Sequence, residues 1–179
     1  MQVQPLRLLD FTPQPIVRTR VIEDIGHLRW VKCGFFGHRY ELCSSDRCIA
    51  MMTVHGFFRP RAVGTSGSEN WSIDPLEAGT GKIVVRASES LREVGVFDMT
   101  FSDHGGILHL EDGRGLILNS NLWKGCAEFQ SLSGNALIRY RFRGLVRPSA
   151  EVEVLGDGRQ MQELSWILML GWCLIVGYL

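Results

Sequence analysis

The sequence predicts a mainly β protein, a closed antiparallel barrel of about twelve strands around a hydrophobic C-terminal helix. About ten to twelve short strand patterns follow one another between residues 27 and 155, and an uncharged apolar run fills residues 164–179. A sheet with this many antiparallel strands must curl, split or close, and closure removes its exposed edges. A barrel this wide is not filled by its own side chains, and a helix that is apolar on every side must be surrounded. The wide barrel therefore explains why the helix is apolar on every side, and the helix explains how so wide a barrel is filled.

The N-terminal residues differ in composition from the rest of the chain. Residues 1–26 contain Pro5, Pro13 and Pro15, which predicts an extended segment that packs on the barrel. Residues 27–179 are predicted to form the barrel domain itself. Because residues 1–26 contain no basic region followed by an apolar block, we expect no secretory signal there.

Alternation of apolar and polar residues predicts most of the strands. Tyr40 and Leu42 alternate with polar neighbours near the start of the barrel. The run at residues 48–54 is apolar on both faces, which predicts a strand covered on two sides. Further strands are predicted at residues 122–129 and 136–143.

Glycine-rich and polar stretches predict the connections between strands. Glycine is abundant, with 20 residues spread along the 179-residue chain. Residues 64–70 are polar and glycine-rich and predict a surface loop. Residues 103–106 and 112–115 have the composition of tight turns.

The C-terminal helix is predicted to span residues 158–179. Asp157 and Gln160 have the spacing of a capping box. Four large side chains are predicted to fill the barrel: Trp166, Leu170, Trp172 and Leu174. The alternative is a tail anchor in a membrane, although the apolar run of about 16 residues would extend only about 24 Å as a helix, and a membrane span usually needs about 20 residues.

Four stretches resemble the tubby-like barrel superfamily, which includes the tubby C-terminal domain, the phospholipid scramblases and the LURP-one-related proteins. They are residues 37–42 (GHRYEL), residues 110–115 (LEDGRG), Trp123 with Phe129, and residues 163–172 (ELSWILMLGW). The resemblance extends over residues 27–179 and is greatest to small bacterial members. It implies a twelve-stranded barrel threaded by a hydrophobic helix and brings no catalytic signature. The phosphoinositide-binding residues of tubby itself have no counterparts that can be assigned in this chain.

Charge and cysteine content limit the class of protein. Acidic and basic residues balance at 19 each, which argues against a general nucleic-acid-binding protein. The five cysteines form no Cys-x-x-Cys pair, so we expect free buried thiols in a reducing cytoplasm. Cys43 and Cys48 flank a predicted hairpin loop, and the alternative is that they face each other across two strands.

The sequence contains no recognisable catalytic or cofactor-binding motif. No serine lies in a Gly-x-Ser-x-Gly motif, and residues 64–67 do not lead from a strand into a helix as a phosphate-binding loop does. Asp103, His104 and His109 lie close enough in sequence for a metal site, but as turn and strand residues they do not provide a convincing set of three ligands. We therefore expect no metal, no cofactor and no enzymatic activity.

A row of arginines is the most distinctive charged pattern. In a strand, Arg139, Arg141 and Arg143 share one face, and Arg147 follows. Such a row is suited to gripping phosphate or phosphoinositide headgroups, because each guanidinium makes bidentate contacts. The alternative, which we favour, is a solvated face paired with Glu151 and Glu153 on the next strand.

These observations favour a cytoplasmic, non-enzymatic barrel domain that binds a protein partner or an anionic phospholipid on its outer surface. Any membrane association is then expected to be peripheral. Two alternatives remain, a membrane protein anchored by residues 164–179 and a hydrolase or metal-dependent enzyme without a recognisable motif.

Overall fold

The computed structural model describes residues 27–34, 37–45, 47–56, 61–76, 79–100, 105–144 and 147–177. The predicted N-terminal segment, residues 1–26, lies outside the described residues.

Twelve antiparallel strands form a closed barrel within the described residues. Each strand pairs with its neighbours in sequence, and the first pairs with the last to close the sheet. The strands are β1 (Leu28–Lys32), β2 (Arg39–Ser44), β3 (Arg47–His55), β4 (Arg61–Ser66), β5 (Glu69–Pro75), β6 (Lys82–Ala87), β7 (Glu93–Thr100), β8 (Gly105–Leu110), β9 (Gly115–Asn121), β10 (Cys126–Ser131), β11 (Ala136–Arg143) and β12 (Ser149–Val154). The predicted fold class, a closed barrel of about twelve strands around a C-terminal helix, is confirmed.

The helix α1 (Leu164–Gly177) lies inside the barrel. Every residue from Leu164 to Ile175 is buried, so the helix has no solvent face. The side chains of Trp166, Leu170, Trp172 and Leu174 are all in the interior, where they pack against the inward-facing residues of the strands. Because twelve strands enclose more space than their own side chains fill, the helix forms the centre of the core.

The helix begins later than its sequence predicts. The prediction of a start at residue 158 is wrong, because residues Gly156–Gln160 form a 3-10 helix and α1 starts only at Leu164. The 3-10 helix follows Leu155, and the described residues provide no side-chain hydrogen bond to cap it. Gly158 packs against β11, where a Cβ would lie 2.5 Å from the carbonyl oxygen of Leu137. The chain must therefore cross the barrel end in a tight turn before it can enter the interior.

The predicted strand at residues 48–54 is buried on only one face. Ala50, Met52 and Val54 point into the core, whereas Cys48 and Met51 are exposed on the outside. The apolar outer face misled the sequence interpretation, because among the described residues only the inner face of this strand is buried.

Two of the predicted connections and one predicted strand also differ in the structure. Gly64 belongs to β4 rather than to a loop. It is a glycine because the sulfur of Met169 from α1 occupies the space that a Cβ would need. Gly105 and Gly106 begin β8 and pair with β7, so they are not turn residues. The predicted strand at residues 122–129 begins with a short 3-10 helix, Leu122–Lys124, and only then continues as β10.

Candidate functional site

The predicted arginine row lies partly on the wall and partly at one end of the barrel. Three of its members are on the outer face of β11 and the fourth is exposed just before β12: Arg139, Arg141, Arg143 and Arg147. The pairing of β11 with β12 sets Glu153 opposite Arg139 and Glu151 opposite Arg141. The alternation in sequence therefore brings three of the guanidiniums to one surface and places them beside acidic residues.

Arg139 is held by carboxylates on both neighbouring strands. Its Nε donates to Oε2 of Glu128 on β10 at 2.6 Å, and its Nη1 donates to Oε2 of Glu153 at 3.3 Å. The hydrogen bond to Glu128 is the main cause that raises the pKa of Arg139. Gln130 donates to the second oxygen of Glu128 at 2.7 Å. The guanidinium of Arg139 is therefore already bonded to carboxylates on both neighbouring strands and is poorly placed to bind phosphate.

The remaining arginines are more accessible. Arg141 approaches Glu153 only at 3.9 Å, and its side chain is 60% exposed. Arg143 and Arg147 are exposed where β11 ends and β12 begins. Arg139 is thus neutralised on the barrel wall, whereas the other three arginines of the row lie towards one end of the barrel.

A tryptophan at the same barrel end was missed as a candidate site residue. Trp123 lies in the 3-10 helix between β9 and β10, and its side chain is fully exposed. This turn adjoins the end of β11, because the backbone N–H of Phe142 donates to the carbonyl of Gly125 at 2.7 Å. Gly125 allows the close approach, since it has φ 61° and a Cβ there would lie 2.6 Å from the carbonyl oxygen of Phe142. We call the surface formed by Trp123, Lys124, Arg141, Arg143 and Arg147 the basic rim.

Two further cations at this end lie beside carboxylates. Lys82 lies 3.4 Å from Asp98, and Arg61 lies 3.8 Å from Asp74.

The sequence signal for the basic rim was a tryptophan followed by lysine and glycine in a polar turn. Only the register of β10 with β11, which sets Cys126 opposite Arg141, shows that this turn meets the arginines.

The opposite end of the barrel contains a cavity of about 430 Å³. It lies where α1 enters, between the ends of β5, β6 and β7 and the turn that joins β8 to β9. We call it the mouth cavity. Its walls include two buried tryptophans, Trp71 and Trp166, and a group of charged side chains.

Ion pairs organise one side of the mouth cavity. Arg114 contacts Asp112 at 2.6 Å and Oε1 of Glu163 at 2.5 Å. The hydrogen bonds from the backbone and side chain of Arg114 lower the pKa of Asp112. Arg92 lies 3.2 Å from Glu111 across the same opening. The turn at residues 111–114, one residue before the turn predicted at residues 112–115, thus connects the strand ends with the start of the helix.

The structure gives no support to a metal centre in its described part. Within those residues, no group of three or more His, Cys, Asp or Glu side chains is arranged to hold a metal ion. His109 lies 3.4 Å from Asp98, while Asp103 and His104 of the conceivable metal site lie outside the described residues.

The cysteines are free, and their environments differ. Cys43 and Cys48 are register partners in β2 and β3, as the alternative interpretation had them, without a disulfide. Cys48 is exposed and Cys173 is buried, so the expectation that all the thiols are buried is wrong. Burial raises the pKa of Cys33 to about 11 and that of Cys173 to about 12. Since the thiolate is the nucleophilic form, neither thiol is activated for catalysis near neutral pH.

Comparisons with known proteins leave the candidate sites unassigned. No protein-family model matches the sequence, and it has no significant match among curated proteins or solved structures.

Within the described residues, no helix combines the length and the apolar character that crossing a membrane requires.

Proposed function

We propose that the protein is a non-enzymatic, tubby-like barrel domain that docks peripherally on anionic lipid surfaces through its basic rim. The observation that carries this proposal is the fully exposed side chain of Trp123, next to Lys124 and close to the end of β11. Tryptophan is favoured at membrane interfaces, where its ring meets both apolar and polar surroundings.

The charges around Trp123 determine which surface it suits. Lys124, Arg143 and Arg147 are exposed at this barrel end, and Arg141 is only weakly paired. Each basic residue near an anionic membrane contributes on the order of 1 kcal/mol. The rim combines this attraction with one apolar anchor, which favours an anionic bilayer over a neutral one.

The enclosed helix also supports peripheral rather than integral binding. The apolar residues of α1 are buried among the strands, so they are occupied by contacts within the protein. We expect the domain to act in the cytoplasm, where anionic lipids face the protein and free cysteines stay reduced.

Vesicle co-sedimentation tests this proposal. We expect the full chain to sediment with vesicles of phosphatidylcholine and phosphatidylserine, and to stay in solution with phosphatidylcholine alone. Binding should weaken steeply with added salt, because exposed charges are screened. Equal binding to both kinds of vesicle, or to neither, would contradict the proposal and favour a protein partner.

Variants connect the binding to the basic rim. Trp123→Ala and the double variant Lys124→Glu, Arg143→Glu should each reduce the affinity at least tenfold. The matched controls lie at the opposite barrel end, where Leu132 is 65% exposed and Arg47 is also exposed. Leu132→Ala and Arg47→Glu should leave the affinity unchanged. If the rim variants and their controls lose affinity to the same extent, the rim is not the docking surface.

A further inference from the structure

The mouth cavity lies at the barrel end opposite to the basic rim and is built from five elements. Trp71 comes from β5, and Trp166 from the first turn of α1. Gly95 on β7 makes room for the indole of Trp166, since a Cβ there would lie 2.7 Å from Cη2 of that side chain. The volume of about 430 Å³ lies within the range of small-molecule sites.

Negative charge dominates the walls of the cavity. Among the described residues, four carboxylates line it, those of Glu69, Glu111, Asp112 and Glu163, against one guanidinium, that of Arg92. Arg114 adds a second positive charge behind Asp112 and Glu163. The helix N-terminus contributes roughly half a positive charge. The carboxylates still exceed the cations, and a negatively charged cleft with apolar walls attracts cations.

Glu163 has an acceptor that the described part of the protein leaves without a donor. Its Oε1 accepts from Arg114, and its backbone carbonyl accepts the N–H of Ile167 at the start of the helix. Its Oε2 is buried and has no hydrogen-bond partner among the described residues. A buried carboxylate oxygen without a donor is costly, and a rotation of the Glu163 carboxylate towards the cavity would let a ligand N–H group supply that donor.

The buried tryptophans add apolar surface beside this acceptor. Trp71 and Trp166 line the cavity together with Ala87 and Val94, so an alkyl chain can be covered while its charged end meets the carboxylates. From these observations we propose that the mouth cavity binds a small alkylammonium or alkylguanidinium cation. The proposal is independent of lipid docking, because it concerns other residues at the other end of the barrel.

Isothermal titration calorimetry with ligands of one chain length tests the charge requirement. The probes are 1,5-diaminopentane, 1,5-pentanediol and pimelate, which carry different end groups on the same chain of five methylene groups. We expect the diamine to bind and the diol and the diacid to show no heat of binding. Absence of diamine binding, or equal binding of diamine and diol, overturns the proposal.

A further titration distinguishes a lysine side chain of a peptide from a free amine as the ligand. Nα-acetyl-lysine methylamide presents the same ammonium on a capped peptide unit. Tighter binding of this compound than of the diamine supports a lysine side chain of a peptide as the natural ligand. Tighter binding of the diamine supports a free amine.

Variants assign the binding to the cavity. Glu163→Gln should weaken diamine binding at least tenfold, because it removes the charge next to the unused acceptor. If this variant does not fold, Glu111→Gln provides the test, since the side chain of Glu111 is 53% exposed and contributes little to the core. Glu89→Gln removes an equal charge from an exposed turn at the same barrel end and should bind the diamine as the unaltered protein does. Unchanged affinity in the folded cavity variants overturns the assignment.

Discussion

Trp30 of β1 stacks on Trp172 of α1, with ring centroids 6.0 Å apart and ring planes 5° from parallel. Tyr40 of β2 meets the same Trp172 edge-on at 5.6 Å. On β11, the hydroxyl of Tyr140 donates to the carbonyl of Leu168 at 3.1 Å. The helix is therefore attached by aromatic side chains to strands on both sides of the β1–β12 closure, which ties the closing of the barrel to the position of the helix.

Truncation of the stacked ring should destabilise the barrel strongly. We expect Trp172→Ala to lower the free energy of unfolding by about 3–5 kcal/mol, because it leaves a large cavity in the core. Urea unfolding followed by circular dichroism measures this change. Trp123→Ala is the control, since its side chain is fully exposed and surface substitutions change stability by about 0.5 kcal/mol or less. Equal losses in the two variants would show that the helix is not the centre of the core.

The glycine in the middle of α1 is expected to be required despite its poor helix propensity. Alanine is favoured over glycine inside a helix by about 1 kcal/mol, so propensity alone would make Gly171→Ala stabilising. A Cβ at Gly171, however, would clash with the hydroxyl and ring of Tyr140. Overpacking of a core typically costs about 1–3 kcal/mol, and we expect a net loss of stability.

A double-variant cycle tests the cause of that loss. Tyr140→Leu removes the ring that the new methyl group would meet, so Gly171→Ala should cost less in that background than in the unaltered protein. Thermal unfolding of the two single variants and the double variant gives the coupling. Additive effects would mean that the phenol ring is not what excludes alanine.

The architecture could be predicted because its two signals are properties of short segments. Alternation identifies inward-facing residues such as Tyr40 and Leu42, and the uncharged tail identifies a surrounded helix. The outer surface of β3 could not be predicted, because exposed Met51 and Cys48 have the same apolar character as buried residues. The start of α1 was missed since the turn at Gly158 depends on its contact with Leu137, which is distant in sequence.

The sites depended still more on distant contacts. The partner of Arg139 on β10 is set by a register that shifts between Phe129 and Gln130, and composition does not reveal such a shift. The mouth cavity joins residues as far apart in sequence as Glu69 and Glu163. Local patterns therefore identified the arginines and the acidic residues of the next strand, such as Glu153, but neither the contact of Arg139 with Glu128 nor the cavity.

The ion pair between Arg139 and Glu128 should make a small but measurable contribution to stability. The side chain of Arg139 is 34% exposed and that of Glu128 is 19% exposed, so solvent weakens the pair. A double-mutant cycle with Arg139→Met and Glu128→Gln should give a coupling of about 0.5–1 kcal/mol. The coupling between Arg141 and Glu153, which lie 3.9 Å apart, should be smaller. A larger coupling for the second pair would contradict this ranking.

Alkaline pH should destabilise the protein through groups buried beside the helix. Burial raises the pKa of Cys173 from its ordinary value of 9.0 to about 12, and it also raises the pKa of Tyr140. Both groups ionise more readily in the unfolded chain, so the native state binds more protons and its stability falls as the pH rises above 9. The loss reaches about 1.4 kcal/mol per pH unit for each group at most, and Tyr140 adds to it only above about pH 10.

Melting temperatures measured between pH 8 and pH 11 test this dependence. Cys173→Ala should lower the stability at neutral pH but flatten its decline from about pH 9 upward. Tyr140→Phe should flatten the decline only at the upper end of the range. Leu132→Ala alters an exposed side chain that does not ionise and should leave the slope as it is in the unaltered protein. Identical slopes in all four proteins would mean that ionisation of the buried groups does not limit the stability of the barrel in alkali.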